Sequence, residues 1–127
     1  AEQKECRFAA RLGRKRTELQ LGQVEGAIAF GEKVLILDDV LTTGGNICLV
    51  ADQVRQEGGV VTDCLVIYNY GFSLARKNLS QQGISVHNAT EFKTVIKFAS
   101  SLLFRLLAPA EKERLAIWHQ NTQETSR

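Results

Sequence analysis

Hydrophobic and polar positions change period several times along this chain, and the changes divide it into short elements. "KVLILDD", residues 33–39, is an unbroken apolar run ending in two carboxylates, the composition of a strand buried on both faces in a parallel sheet. After the glycines that follow, Ile47, Val50, Ala51 and Val54 recur at i, i+3, i+4 and i+7, which predicts a helix from Asn46 to Glu57 that stops at Gly58-Gly59. "CLVIY" (64–68) reads as the next buried strand, "SLARKNLSQQ" (73–82) as a short helix closed by Gly83, and "ISV" (84–86) as a final strand. Strands and helices alternating in the order β-α-β-α-β predict an α/β fold with a parallel, Rossmann-like sheet and right-handed crossovers.

The flanks are less regular. "ECRFAARL" (5–12) alternates as a strand would, and "GRKRTELQLGQ" (13–23) is polar, basic and bounded by glycine, as a loop would be. Residues 91–107 place Phe92, Val95, Ile96, Ala99, Leu102, Leu103 and Leu106 on one broad stripe, predicting a core-facing helix. Pro109 then opens a separate terminal helix, "PAEKERLAIWHQ" (109–120), with Glu111 and Glu113 in the first turn where the helix dipole favours negative charge. "NTQETSR" (121–127) is polar and is expected to fray. The expected organisation is an α/β core over 1–107 and a helix with its tail over 108–127.

Composition narrows the function classes. Sixteen Lys and Arg against fourteen Asp and Glu leave a formal charge of +2, too small to hold nucleic acid or a membrane surface by bulk electrostatics. Neither is an expected partner, and any anion site must be local. Cys6, Cys48 and Cys64 show no Cys-x-x-Cys or nearby His pattern, so no disulfide framework or zinc site is implied and a reducing cytoplasm is expected. The apolar runs fall short of the roughly 20 residues that a membrane span requires. The chain opens at Ala1 almost directly on strand-like residues, so further residues are expected upstream.

"LILDDVLTTGGN" (35–46) carries the chemistry. In an open parallel sheet ligands collect beyond the carboxyl ends of the strands, and Asp38 and Asp39 are expected at such an end. Gly44 and Gly45 let the backbone turn tightly into a helix whose amino end adds partial positive charge, a cradle for a monophosphate to which Thr42 and Thr43 can add hydroxyl donors. Two carboxylates would repel that phosphate unless they address other groups of the ligand, and vicinal sugar hydroxyls, with Mg²⁺ close by, answer the requirement. The stretch therefore describes a ribose 5-phosphate site. An acid followed by Gly-Gly is by itself often only a turn and a helix cap. The unbroken order of strand, acids, threonines, glycines and helix points beyond that.

"VLILDDVLTTGGN" resembles the 5-phosphoribosyl-1-pyrophosphate (PRPP) motif of type I phosphoribosyltransferases. The surrounding "QVEGAIAFGEK", "VTDCLVIYNYGF" and "LSQQGISVHNATEF" resemble the orotate phosphoribosyltransferases in particular, over roughly residues 5 to 100. The resemblance implies a phosphoribosyltransferase-type core that starts after the family's amino-terminal segment, which carries much of the base-binding hood. It implies Mg²⁺-dependent transfer of phosphoribose from PRPP to orotate in a cytoplasmic homodimer. Asp38 and Asp39 would hold the ribose hydroxyls with Mg²⁺ near them, Thr42, Thr43, Gly44, Gly45 and Asn46 the 5-phosphate, and Arg14, Lys15 and Arg16 the departing pyrophosphate, with Lys15 counted among the catalytic residues. Asn46 stands where the family usually has Ser or Thr, and Arg14 and Arg16 stand where its mobile loop has Lys.

Other readings belong to different classes: a non-catalytic PRPP- or nucleotide-binding regulatory module, a transferase for another nucleobase, or a phosphorelay receiver domain. The last is disfavoured because "IYNYG" and "ISVHNA" offer no phosphoacceptor Asp at a later strand end. Tyr68, Asn69, Tyr70 and Phe72 read as packing at a strand end, Cys48 as a buried filler, the Trp118 helix as packing or an interface, and His87 and His119, without an acid or Cys partner at ligand spacing, as surface or capping residues.

Overall fold

The structure, a computed structural model, describes residues 10–11, 24–25, 27–101 and 106–125 of the 127. Two short strands, β1 (Ala10–Arg11) and β2 (Val24–Glu25), pair antiparallel. The central sheet is formed by β3 (Lys33–Leu41), β4 (Val60–Asn69) and β5 (Ser85–Glu91), parallel and in sequence order. Helix α1 (Gly45–Gln56) crosses from β3 to β4 and α2 (Ser73–Gln81) from β4 to β5. The chain then enters α3 (Phe92–Ala99) and α4 (Pro109–Thr125). The expected β-α-β-α-β order and parallel sheet are present.

Two crossovers of one hand, right-handed by the general rule for such connections, between strands that advance in one direction place both helices on the same face of the sheet. That face holds the core: Ile36, Cys64 and Val66 from the strands meet Ile47, Ala51 and Val54 of α1 and Ala75 and Leu79 of α2. Arg55 joins these layers from the end of α1, donating to the Val61 carbonyl at 3.0 Å and to the backbone carbonyl and side-chain oxygen of Gln82. The other face does not match the expectation of a strand buried on both sides. Leu35, Leu37, Leu65 and Ile67 are between 41% and 64% exposed there, because no described helix crosses it.

Three boundaries also differ from the sequence pattern. Strand β3 does not end at the acids but continues past Asp38 and Asp39 to Leu41, paired with β4 as far as Leu41 opposite Asn69, so the acids lie near the strand's carboxyl end, as expected, with Val40 and Leu41 still to follow. The apolar stripe over 91–107 is not one core-facing helix: α3 ends at Ala99, and Val95, Phe98 and Leu106 are exposed. The Ser100 amide and hydroxyl both donate to the Ile96 carbonyl, and the amides of Leu106 and Leu107 return to the Ala99 carbonyl, which ends the helix locally. Leu102 and Leu103 lie outside the described residues. Conversely, α4 runs on to Thr125 where fraying was expected from residue 121.

The extension of α4 has a packing cause. His119 is buried, its ring stacked on Phe92 with centroids 4.2 Å apart, and it hydrogen-bonds the Tyr70 carbonyl through Nε2 and Gln123 through Nδ1. Because a carbonyl only accepts, Nε2 carries the proton and Nδ1 accepts from the Gln123 amide, which ties the last turns together. Trp118, Tyr70, Phe72 and Phe92 complete an aromatic corner at the carboxyl end of β4, so Trp118 packs as expected and His119 is neither a surface nor a capping residue.

Candidate functional site

The loop after β3 is shaped by glycine. Gly44 adopts φ +79°, a left-handed conformation that an L side chain reaches only at a cost, and it is the residue from which α1 starts. With no side chain at this position, the helix has no side-chain cap, and its first turn contains no acid. Its leading N–H groups are therefore left to whatever lies beyond the helix end. Among the described residues, the amides of Thr42, Thr43 and Gly44 also donate to no backbone carbonyl. Along the five consecutive residues Thr42 to Asn46, backbone amides are thus left without a backbone acceptor among the described residues, as at other helix starts where anions bind.

Two contacts anchor this loop from behind. The Tyr70 amide donates to the Leu41 carbonyl at 3.1 Å, tying the end of β3 to the turn after β4. The Asn78 side-chain amide donates to the Thr43 carbonyl at 2.9 Å. Sequence reading passed over Asn78; the signal available was its place beside Ala75 and Leu79 on one face of a short helix, but the partner lies 35 residues away.

Asp38 and Asp39 precede the loop. Alternation along β3 starts them from opposite faces, yet the two carboxyl groups come close enough to interact. Asp38, on the helix-covered face with Ile36, is half-buried, and Asp39 is exposed. Burial pushes the Asp38 carboxyl above its ordinary value; the hydrogen bond from the Asp39 amide, 2.9 Å, opposes the rise, and the neighbouring Asp39 carboxylate adds to it. Asp39 in turn accepts from the Val40 amide at 2.8 Å. The pair is thus held by local backbone donors, with carboxylate oxygens left over for a ligand. Among the described residues no three His, Cys, Asp or Glu side chains gather as a metal cage. Two neighbouring carboxylates, one of them destabilised by burial, suit a divalent cation of the Mg²⁺ type, which takes one or two carboxylates and completes its shell from water and substrate oxygens.

The structure brings together Asp38, Asp39, Thr42, Thr43, Gly44, Gly45 and Asn46. Arg14, Lys15 and Arg16 lie outside the described residues. Cys48, half-buried against the core on the first turn of α1, has its thiol pushed up by burial and then by Asp52, in keeping with a filler. His87 has a partner that linear spacing did not show: its Nε2 lies 2.8 Å from Asp63 Oδ1 across β4 and β5, remote from the loop.

A three-stranded parallel sheet whose first strand carries paired acids and runs through a glycine turn into a helix has counterparts among solved phosphoribosyltransferase structures. The chain aligns with the crystal structure of orotate phosphoribosyltransferase from Aeropyrum pernix at a TM-score of 0.57 and 30% identity, over 62% of this chain and 46% of that one. With the UMP synthase of Leishmania donovani it shares the fold at a TM-score of 0.64 and 16% identity, over 77% of this chain and 21% of that one. No protein-family model matches the chain.

Among the sequence relatives of the chain are proteins named orotate phosphoribosyltransferase. The protein of Coxiella burnetii is 29% identical over 108 residues, covering 85% of this chain and 51% of the relative, and that of Cytophaga hutchinsonii is 35% identical over 77 residues, covering 60% and 36%. The chain spans about half the length of the first of these, and less of the second.

Proposed function

We propose that the protein to which this chain belongs transfers phosphoribose from PRPP to orotate, releasing pyrophosphate and forming orotidine 5'-monophosphate. The observation that carries this reading is the Thr42–Asn46 turn, with its uncapped helix end, set directly after Asp38 and Asp39. The turn supplies donors for the 5-phosphate, and the acids accept from the ribose hydroxyls. Such a reaction needs little covalent work from protein: it holds two reactants in line and stabilises the leaving charge. Mg²⁺, when bound near Asp38 and Asp39, would supply charge neutralisation for the pyrophosphate. Arg14, Lys15 and Arg16 would add to that, with Lys15 the catalytic cation. The working protein would be a cytoplasmic homodimer, with its PRPP core over 1–107 and the helix of 108–127 as an added element.

A second reading, a module that binds PRPP without turnover, draws on Arg14 and Arg16, which stand where the loop of the resembled family has Lys. A pyrophosphate-release assay with PRPP, Mg²⁺ and orotate separates the two when run on the longest natural form beside an Asp38→Asn, Asp39→Asn double variant. Release that the double variant abolishes is the expected result. PRPP binding without release would replace the transferase reading with the second one, and release unchanged in the double variant would move the site elsewhere. Substituting uracil or a purine base for orotate in the same assay tests the base.

A further inference from the structure

Helix α2 faces the phosphate loop with a stripe of three residues. Ala75, Asn78 and Leu79 stand at i, i+3 and i+4, the spacing that places side chains on one helical face. Ala75 and Leu79 are buried. A Cβ built on Gly44 would lie 3.2 Å from Leu79 Cγ and 3.6 Å from the Ala75 carbonyl oxygen, so the loop backbone rests directly on this stripe. Asn78 is its polar member, and its amide holds the Thr43 carbonyl.

That hydrogen bond fixes more than one atom. The Thr43 carbonyl and the Gly44 N–H belong to the same planar trans peptide and point in opposite directions. With the carbonyl drawn towards α2, the Gly44 N–H faces away from the helix. Glycine at Gly44 offers little resistance to rotation of this peptide, because it populates both signs of φ readily. Without a partner for the Thr43 carbonyl, the peptide could turn and present an oxygen where an anion needs a donor.

We propose that Asn78 is a positioning residue for the phosphate site: it touches no ligand, and it locks the Thr43–Gly44 peptide in the orientation that a phosphate monoester requires. The proposal rests on the reading of Thr42–Asn46 as the 5-phosphate cradle. Asn78→Ala removes the donor and, as a change to a better helix former, keeps α2 intact. Asn78→Asp keeps the size but turns an acceptor towards the carbonyl.

The test is titration of the full natural chain and both variants with ribose 5-phosphate, followed by calorimetry and by the Gly44 amide resonance in ¹⁵N-edited NMR, with thermal midpoints recorded alongside. The unsubstituted protein should bind with a downfield shift of the Gly44 amide. Asn78→Ala should bind about five-fold more weakly, the equivalent of one hydrogen bond of ordinary net strength, with that shift reduced and the thermal midpoint little changed. Asn78→Asp should bind more weakly still. A variant that binds like the parent, or one whose affinity falls only in step with its thermal midpoint, overturns the positioning role and leaves the phosphate site standing. Absence of ribose 5-phosphate binding in the unsubstituted protein overturns the cradle itself and the positioning role with it.

Discussion

Gly44→Ala is the sharpest probe of how the loop is built, because two separate penalties meet there. The first is conformational: φ +79° is a left-handed backbone, which costs an L residue about 1–2 kcal/mol. The second is steric. The new methyl would sit 3.2 Å from Leu79 Cγ and 3.4 Å from Leu79 Cδ1, and Leu79 is fully buried between α1 and the sheet, so yielding would disturb the core at a cost of about 1 kcal/mol or more. Gly83→Ala is the control, since Gly83 has φ +67° but a Cβ there meets nothing within 4 Å. Both substitutions stiffen the unfolded chain equally, so that contribution cancels in the comparison. For a domain of this size, 1 kcal/mol corresponds to about 4 °C, so Gly44→Ala should lower the thermal midpoint by about 10 °C and Gly83→Ala by about 6 °C. Circular dichroism melts give the difference, and only Gly44→Ala should also weaken ribose 5-phosphate binding. Equal losses of stability would show that Leu79 gives way freely, and would refute the claim that α2 buttresses the loop.

Asp38 and the aromatic corner yield two further predictions. Because burial raises the native Asp38 carboxyl, the native state holds that proton more tightly than the unfolded chain does; the stability this confers is full below the ordinary value of 3.8 and is lost as pH rises through the higher native value. At pH 7 the ionised Asp38 is therefore a cost, so Asp38→Asn should raise the urea midpoint there while weakening PRPP binding, and the stability gain should shrink towards zero below pH 3.8; a lowered midpoint at pH 7 would contradict the assigned cause. His119→Ala removes the ring stacked on Phe92 and orphans the Tyr70 carbonyl, with an expected loss of about 2 kcal/mol and a red shift in the emission of Trp118, the chain's sole tryptophan. Unchanged emission would mean that α4 docks without His119.

Local patterns made the strand, loop and first helix legible, because each has a local cause: a continuous apolar run, a pair of glycines, and a stripe at helical spacing that buries Ile47, Ala51 and Val54. Where the pattern misled, a contact distant in sequence or a competing local hydrogen bond decided the outcome. Apolar periodicity over 91–107 carries no information about the Ser100 hydroxyl, which takes the Ile96 carbonyl at the point where α3 stops. His119 looked unpartnered because Tyr70 is 49 residues away, and Asn78 looked like an ordinary helix residue because Thr43 is 35 away. The exposed face of Leu37 and Ile67 follows from topology: composition marks those residues as ready for burial, and only the hand and order of the crossovers says which face the two helices cover.

The electrostatics of the candidate site set the shape of its ligand more narrowly than either half does alone. A helix start without a cap, approached through a glycine turn, favours negative charge. Asp38 and Asp39, a few residues upstream on the same chain, disfavour it, and burial of Asp38 makes uncompensated charge there costlier still. A simple dianion would satisfy the turn and be repelled by the acids; a bare cation would do the reverse. A molecule with a phosphate at one end and hydrogen-bond-donating hydroxyls, or a metal-bridged group, at the other satisfies both at once. The acids are also unequal: Asp39 is exposed and can meet such a ligand directly, whereas Asp38 is half-buried and oriented by the Asp39 amide. Single substitutions should therefore separate, with Asp39→Asn weakening PRPP binding without the gain in stability expected of Asp38→Asn.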